Sequence, residues 1–192
     1  MKGAIFLSMF LATTLFVFGQ KMDTLAKKGL IIKNVAGVNM SSAKELVDNL
    51  SASNEFTTLV KLINASGLAN QLNAGPITFL APTNKAFEKL HAGTIDSLML
   101  PVNQKKLVVF LNYLTLAKQL NSKDILRLIK AGHGEAMLNA ASGGIIVARI
   151  NADKNFLLTD ENAAQSIVLR FDIEQSNGIL FVLDNVLLPV FK

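Results

Sequence analysis

The sequence predicts an α+β fold, with helices in the first half of the mature chain and a strand-rich second half. Before Gly134, apolar residues recur at helical spacing; after it, they alternate with polar residues or form short runs between turn residues. The chain has 192 residues, of which 51% are hydrophobic, which is enough for one domain with a full core.

The first nineteen residues read as a leader and not as part of the fold. Lys2 precedes an apolar run over 3–18, which is followed by Gly19 and Gln20. A comfortable membrane span needs about 20 apolar residues, so we predict a signal peptide over 1–19, cut between Gly19 and Gln20. An uncleaved anchor helix is the alternative. The sequence therefore predicts a secreted or periplasmic protein.

The remaining chain divides into an N-terminal extension, 20–39, and a single domain, 40–190. The segment 20–33 reads either as a tether or as an added first strand. The most apolar downstream stretch, 179–190, is interrupted by Asp184 and Asn185, so we expect no transmembrane segment after cleavage.

The helical half contains four amphipathic patterns, each with apolar residues about one helical turn apart. We expect Gly67 to end the second, Ser122 to cap the fourth, and Gly132 to end that helix. The patterns cover Ala43 to Leu50, Phe56 to Ile63, Leu107 to Leu114 and Ile125 to Ile129.

The strand half begins with a predicted hairpin, 145–150 and 156–159, around a polar turn. In the next segment Ile167, Leu169, Phe171 and Ile173 alternate with polar or smaller residues, which predicts one buried face. Asn177 and Gly178 indicate a tight turn. A strand buried on both faces follows over 179–183 and ends at Asp184.

A polar corner, Pro82-Thr83-Asn84, separates the apolar run 77–81 from a helical pattern that contains Phe87. Pro82 lacks an amide hydrogen and suits the end of a strand. Thr83 suits a helix N-cap, since its hydroxyl can accept from an amide two or three residues later. No His, Asp or Cys lies between Asn70 and Phe87, so the corner is interpreted as architecture and not as a catalytic loop.

Composition excludes several classes of function. The net charge is +5, and the predicted cleavage removes only one basic residue, Lys2. The lysine pairs 27–28 and 105–106 are isolated, and the chain has one Tyr and no Trp to stack on bases, so no nucleic-acid partner is expected. There is no cysteine, which excludes disulfides, thiolate ligands and a cysteine-linked lipid anchor.

The sequence shows no arrangement typical of an enzyme. His91 and His133 are far apart and lack the spacing of metal-binding histidines, and no serine lies in a GxSxG elbow. Asp153, Asp160 and Glu161 lack the regular ligand spacing of a calcium loop. We therefore predict no catalytic activity, no cofactor and no metal.

Two separated segments carry a family resemblance. TFLAPTNKAF, 78–87, resembles the first signature of fasciclin-like domains, and SNGILFVLDNVLLP, 176–189, resembles the second. Tyr113 matches the tyrosine of the family's Tyr-His pair, while Leu114 replaces the histidine. The likeness runs from about Lys33 to Pro189, and the VAGVNM lead-in, 35–40, is similar to that of secreted bacterial proteins with one fasciclin domain.

The resemblance implies a compact wedge of two small β-sheets with helices alongside, and a non-catalytic role in cell adhesion or extracellular binding. Its partner-binding residues would be Asp172 and Ile173, which match two positions of the integrin-linked stretch of adhesive animal members, and Tyr113 of the Tyr-His pair. At the other two positions of that stretch, Arg170 and Phe171 do not match. The alternation in this segment puts Ile173 in the core and Asp172 on the solvated face. The segment Ser122-Lys123-Asp124-Ile125 also resembles the integrin-linked stretch, but it lies in a different part of the chain.

The predicted function is a binding module that contacts extracellular protein, polysaccharide or a cell-envelope surface. A carrier of a small hydrophobic ligand is the alternative, since the chain is rich in apolar residues and has twelve Phe.

Overall fold

The structure is a computed structural model that describes residues 29–191. The predicted signal peptide, 1–19, and the first part of the extension, 20–28, lie outside the described residues. The described chain begins with a hairpin of two strands, β1 (Ile32–Val35) and β2 (Val38–Ser41). Ala36 and Gly37 turn it with φ of 49° and 83°, as a two-residue hairpin turn requires.

Seven helices follow, most of them before residue 115. They are α1 (Leu46–Ser51), α2 (Thr57–Ser66), α3 (Ala69–Asn73), α4 (Asn84–Glu88), α5 (Thr94–Met99), α6 (Gln104–Tyr113) and α7 (Ser122–Ala131), with 3-10 turns at Asn54–Phe56 and Pro101–Asn103. The predicted end of α2 is confirmed, because Gly67 adopts the left-handed conformation at φ 73°.

The N-cap predicted for α7 was wrong by one residue. Asn121 caps the helix: its side chain accepts from the amide of Asp124, whose carboxylate accepts in return from the amide of Asn121. Ser122 is the first helical residue, and its hydroxyl donates a hydrogen bond to the carboxylate of Asp172 instead of capping the helix. Leu128, expected on the buried face, is 43% exposed.

The remaining strands form one seven-stranded sheet in the order β4-β3-β9-β8-β7-β6-β5. Its members are β3 (Ile77–Pro82), β4 (Thr115–Leu116), β5 (Glu135–Asn139), β6 (Ile145–Ile150), β7 (Phe156–Thr159), β8 (Gln165–Gln175) and β9 (Gly178–Leu183). β3 and β9 are parallel and every other neighbouring pair is antiparallel. A bridge between Leu116 and Ala140 brings the two edges together, so the sheet is nearly closed.

The resemblance implied two small sheets, whereas the structure joins the two strand groups through β8. The start of this eleven-residue strand pairs with β7, and the rest pairs with β9. The predicted order of helices first and strands second is confirmed. The wholly buried side chains between sheet and helices include Phe56, Phe79, Phe110 and Phe181.

The face predicted for β8 was wrong over its middle. Leu169 and Phe171 are 50% and 40% exposed, whereas Val168 is buried. The pairing with β9 shifts register twice, between Val168 and Arg170 and again between Arg170 and Ile173. Each irregularity interrupts the two-residue alternation, so the sequence pattern no longer reports which face is buried.

Candidate binding cleft

The β3–α4 corner is built as the sequence predicted. The hydroxyl of Thr83 accepts a hydrogen bond from the amide of Ala86 at 3.1 Å, and its backbone is extended, as in an N-cap. Pro82 is the last residue of β3 and pairs with Leu183 of β9. The corner therefore has a structural explanation for each of these residues.

Asn84 joins this corner to the start of α2. Its amide nitrogen donates to the carbonyl of Asn54 at 2.8 Å and to the hydroxyl of Thr57 at 3.0 Å. Its oxygen accepts from the amide of Thr58 at 3.0 Å. One side chain thus fixes α4 against the neighbouring helix.

Asp184 follows β9 and faces the same corner. One carboxylate oxygen accepts from the amide of Ile167 at 2.7 Å and from the hydroxyl of Ser166 at 3.2 Å. Lys89 lies 3.6 Å from the other oxygen and donates to the carbonyl of Asp184 at 2.6 Å. The two segments that carry the family resemblance meet beside this corner, where β3 pairs with β9 and the amide of Thr83 donates to the carbonyl of Leu183 at 3.2 Å.

A cleft of about 550 Å³ opens between these elements. Its lining residues are Asn54, Glu55, Thr83, Asn84, Lys85, Glu88, Lys89, Leu169 and Asp184. Lys85 and Glu88 are exposed, and neither makes an ion pair or side-chain hydrogen bond to another residue within 29–191. The cleft offers donors, acceptors and both signs of charge beside the half-exposed Leu169, which suits a ligand with many hydroxyl or amide groups.

An ion pair supports the wall formed by Glu55. Arg170 of β8 donates to both carboxylate oxygens of Glu55, and both side chains are mostly buried. The Nε of Arg170 is buried and has no hydrogen-bond partner in the described part of the chain. Removing either member would leave the other charge poorly solvated.

The three residues predicted to bind a partner lie outside the cleft. Ile173 and Tyr113 have no exposed surface. Asp172 is half-buried, and both of its carboxylate oxygens accept hydrogen bonds from Ser122. Asp172 was expected to be solvated; instead it connects the two similar segments 122–125 and 170–173.

Tyr113 is held by its hydroxyl, which donates to the carbonyl of Ile145 at 2.9 Å and accepts from the amide of Glu161 at 3.2 Å. Burial raises the pKa of Tyr113 well above the usual value; the hydrogen bond from the amide of Glu161 acts against this, and the negative charges of Asp160 and Glu161 add to the increase. The geometry gives this tyrosine a structural role between α6 and the sheet.

Asn177 and Gly178 are structural, although not through the turn that was predicted. Gln175 pairs with Gly178, so Ser176 and Asn177 form the turn. The side chain of Asn177 accepts from the amide of Leu46 and donates to the carbonyl of Leu72. Gly178 lies against β3, and a Cβ there would be 2.2 Å from the carbonyl oxygen of Ile77.

The remaining candidates for chemistry do not converge. His91 and His133 are exposed, and among residues 29–191 no group of three or more His, Asp or Glu side chains could hold a metal ion. No helix in the same range is long and apolar enough to cross a membrane.

Sequence reasoning missed the cleft residues Glu55, Lys85, Glu88 and Leu169. One signal was available: Lys85, Glu88 and Lys89 follow at helical spacing directly after the corner, which predicts a charged helix face. The contribution of Leu169 was hidden by the register shifts in β8.

Comparison with known proteins shows which sequences and structures this chain resembles. The sequence profile described as "Fasciclin domain" matches residues 54–189. Protein sll1483 of Synechocystis sp. is 32% identical over 98% of this chain and 99% of its own length. Immunogenic protein MPB70 of Mycobacterium bovis is 29% identical over 73% of this chain and 67% of its own length.

The fold is also that of a solved structure, a FAS1 domain pair from the insect cell adhesion molecule Fasciclin I. The TM-score is 0.66 at 16% identity, with 85% of this chain and 67% of that one covered. The profile match spans most of the described chain and includes both signature segments. This chain therefore belongs to the fasciclin domain family.

Proposed function

We propose that this protein is a secreted or periplasmic, non-catalytic binding module that contacts an extracellular polysaccharide or protein through the cleft beside α4. One observation carries the proposal: both signature segments meet at this cleft, where Lys85 and Glu88 are exposed and free of partners within 29–191. The solved structure with the same fold belongs to an insect cell adhesion molecule, which supports the same class of function.

The chemistry of the cleft favours shaped contact over simple charge attraction. Three acidic and two basic side chains line it, namely Glu55, Glu88, Asp184, Lys85 and Lys89. Because the charges nearly cancel, a ligand would be held by hydrogen bonds and by contact with Leu169. Such binding is expected to survive salt concentrations that screen diffuse attraction.

The test is binding of the chain from Gln20 onward, which contains every described element, to arrays of glycans, matrix proteins and cell-envelope fractions. Each array is probed at about 0.15 M and about 0.5 M salt. We expect a hit at both concentrations that Lys85→Ala and Glu88→Ala weaken. Lys130→Ala, which removes an exposed lysine from α7, is the matched control and should bind normally. Binding that disappears in high salt, or that neither cleft variant weakens, would contradict the proposal.

A carrier of a small hydrophobic ligand is the second candidate, and one feature favours it. A groove of about 370 Å³ lies between α7, β4 and β5, with apolar walls formed by Leu116, Leu120, Leu128, Met137 and Leu138. Native mass spectrometry of the purified protein tests this candidate. Absence of a co-purified lipid, together with no thermal shift when lipids are added, would reject it.

A further inference from the structure

An exposed apolar segment links α5 to α6. Met99, Leu100 and Val102 are 41%, 51% and 85% exposed, and Pro101 between them is exposed as well. We call residues 99–102 the Val102 loop. Val102 has the highest exposed fraction among the large apolar residues described, so the loop presents aliphatic side chains to solvent at a turn.

The Val102 loop is held in this shape by its own hydrogen bonds. The amide of Leu100 donates to the carbonyl of Ser97 at 3.2 Å, and the amide of Asn103 donates to the carbonyl of Leu100 at 2.8 Å. The side chain of Asn103 reaches back to the carbonyl of Ser97 at 2.8 Å. The apolar side chains are therefore displayed on an ordered turn, which lowers the entropy lost on binding.

Two lysines follow the loop on the first turn of α6. Lys105 and Lys106 are exposed, and neither has an ion pair or side-chain hydrogen bond within residues 29–191. From Ser97 to Lys123 the chain has four lysines and no acidic residue. The chain is therefore basic on the C-terminal side of the loop, whereas Asp96 of α5 lies three residues before Met99 on the other side.

The apolar surface continues along α6 to the end of the chain. Lys106 and Val109 lie three residues apart on one face of α6, and Val102 lies four residues before Lys106 in the 3-10 turn that leads into the helix. Lys106 and Phe191 line one hollow, and Val109 and Val190 line another. Val190 and Phe191 are 47% and 39% exposed, so Lys106 lies beside an exposed aromatic ring, while Glu161 also lines the hollow of Val109 and Val190.

We propose that the Val102 loop, with Lys105 and Lys106, docks this protein on the surface of a bilayer that contains anionic lipids. The aliphatic tip enters the boundary between headgroups and acyl chains, and the two ammonium groups remain at the level of the lipid phosphates. A fluid bilayer can accept an exposed apolar turn without a matching pocket. The unpaired lysines complement the negative charge that such a surface carries. The proposal uses residues outside the cleft and does not depend on the proposed function.

Vesicle co-sedimentation tests the proposal with the chain from Gln20 onward, so that the apolar leader cannot contribute. We expect binding to vesicles of phosphatidylglycerol and phosphatidylcholine and much weaker binding to phosphatidylcholine alone. Val102→Asp should lower the partition coefficient about tenfold, since the valine no longer leaves water. Lys105→Gln with Lys106→Gln should lower it roughly fivefold for each lysine removed. Ile32→Asp, at a 56% exposed apolar residue of β1, should leave it unchanged. Thermal melts confirm that each variant is folded.

A fluorescent reporter separates insertion from adsorption, because the chain contains no Trp. The Val102→Trp variant should shift its emission to shorter wavelength on anionic vesicles and be quenched by brominated acyl chains. The Ile32→Trp variant should do neither. Unchanged binding of the Val102→Asp variant, or equal binding to both kinds of vesicle, would overturn the proposal. It would also be overturned if the indole emission of the Val102→Trp variant did not respond to anionic vesicles.

Discussion

Both carboxylate oxygens of Asp172 accept hydrogen bonds from Ser122, one from its amide at 2.7 Å and one from its hydroxyl at 2.5 Å. This pair joins the first residue of α7 to a bulged part of β8. Asp172 also has φ 54°, a conformation that Asp and Asn tolerate better than most residues. The residue that resembled part of an adhesion motif thus fixes a helix to the sheet.

Replacing Asp172 should destabilise the fold in a graded way. Asp172→Asn keeps the tolerated backbone conformation but loses the charge, and we expect a loss of about 1 kcal/mol of unfolding free energy. Asp172→Ala loses the acceptors and strains the backbone, so about 2–3 kcal/mol is expected. Urea unfolding measures both. In a double-mutant cycle, Asp172→Ala and Ser122→Ala should show coupling of roughly 1 kcal/mol, and strict additivity would contradict the bond.

Tyr113 should make stability fall at alkaline pH. The pKa of Tyr113 is higher in the folded protein than in the unfolded chain, where it is about 10. The buried neutral phenol therefore contributes in full to the free energy of unfolding below pH 10. The contribution is lost as pH rises from about 10 towards the folded pKa, because the unfolded state then gives up the proton more easily. Tyr113→Phe should remove this part of the pH dependence, although the lost hydrogen bonds lower stability at neutral pH by about 1–2 kcal/mol.

The measurement is direct, because Tyr113 is the chain's single tyrosine and there is no tryptophan. The phenolate absorbance should remain absent while circular dichroism shows a folded protein, and then appear together with alkaline unfolding. Ionisation near pH 10 in a folded protein would show that the phenol is not buried as described.

Gly178→Ala should be among the most damaging single substitutions. The new Cβ would lie 2.2 Å from the backbone oxygen of Ile77, and neither strand can move without breaking the β3–β9 pairing. We expect a loss of at least about 3 kcal/mol, or insoluble protein. Gly75→Ala is the matched control, since its Cβ would meet nothing within 4 Å. Equal melting temperatures for the two variants would refute the close approach.

Asn84→Ala should cost about 2–3 kcal/mol, because two hydrogen bonds to the start of α2 and one to the preceding 3-10 turn are lost together. Lys85→Ala, one residue later and exposed, should change stability by less than about 0.5 kcal/mol. Chemical unfolding of the two variants separates the residue that builds the cleft from one that is available to a ligand. A stable Asn84→Ala protein would contradict the structural role of Asn84.

Local patterns in the sequence predicted the elements well wherever neighbours along the chain decide the conformation. Thr83 caps α4 and Gly67 ends α2 because such signals act through hydrogen bonds and φ angles within a few residues. The hairpin of β6 and β7 was predicted from its polar turn for the same reason. These predictions needed no knowledge of the rest of the fold.

The faces of β8 and the members of the cleft could not be predicted in this way. Two register shifts cancel the alternation on which the buried face of β8 was predicted, so Leu169 and Phe171 are partly exposed instead of buried. The cleft combines residues of the 3-10 turn at 54–56, α4, β8 and the end of β9. These elements are far apart in the sequence, and no local sequence pattern predicts that they lie close together in the fold.

The sequence by itself determined the α+β class, the order of helices and strands, the corner at Thr83 and the fasciclin family. It could do so because propensity, capping and periodicity are local, and because both signature segments are short and continuous. Only the tertiary structure decided that Ser122 meets Asp172 across fifty residues, that Gly178 must leave room for Ile77, and that Lys85 and Glu88 share a cleft with Leu169. These relationships depend on strand register and helix packing, which arise only when distant segments bury their apolar faces together.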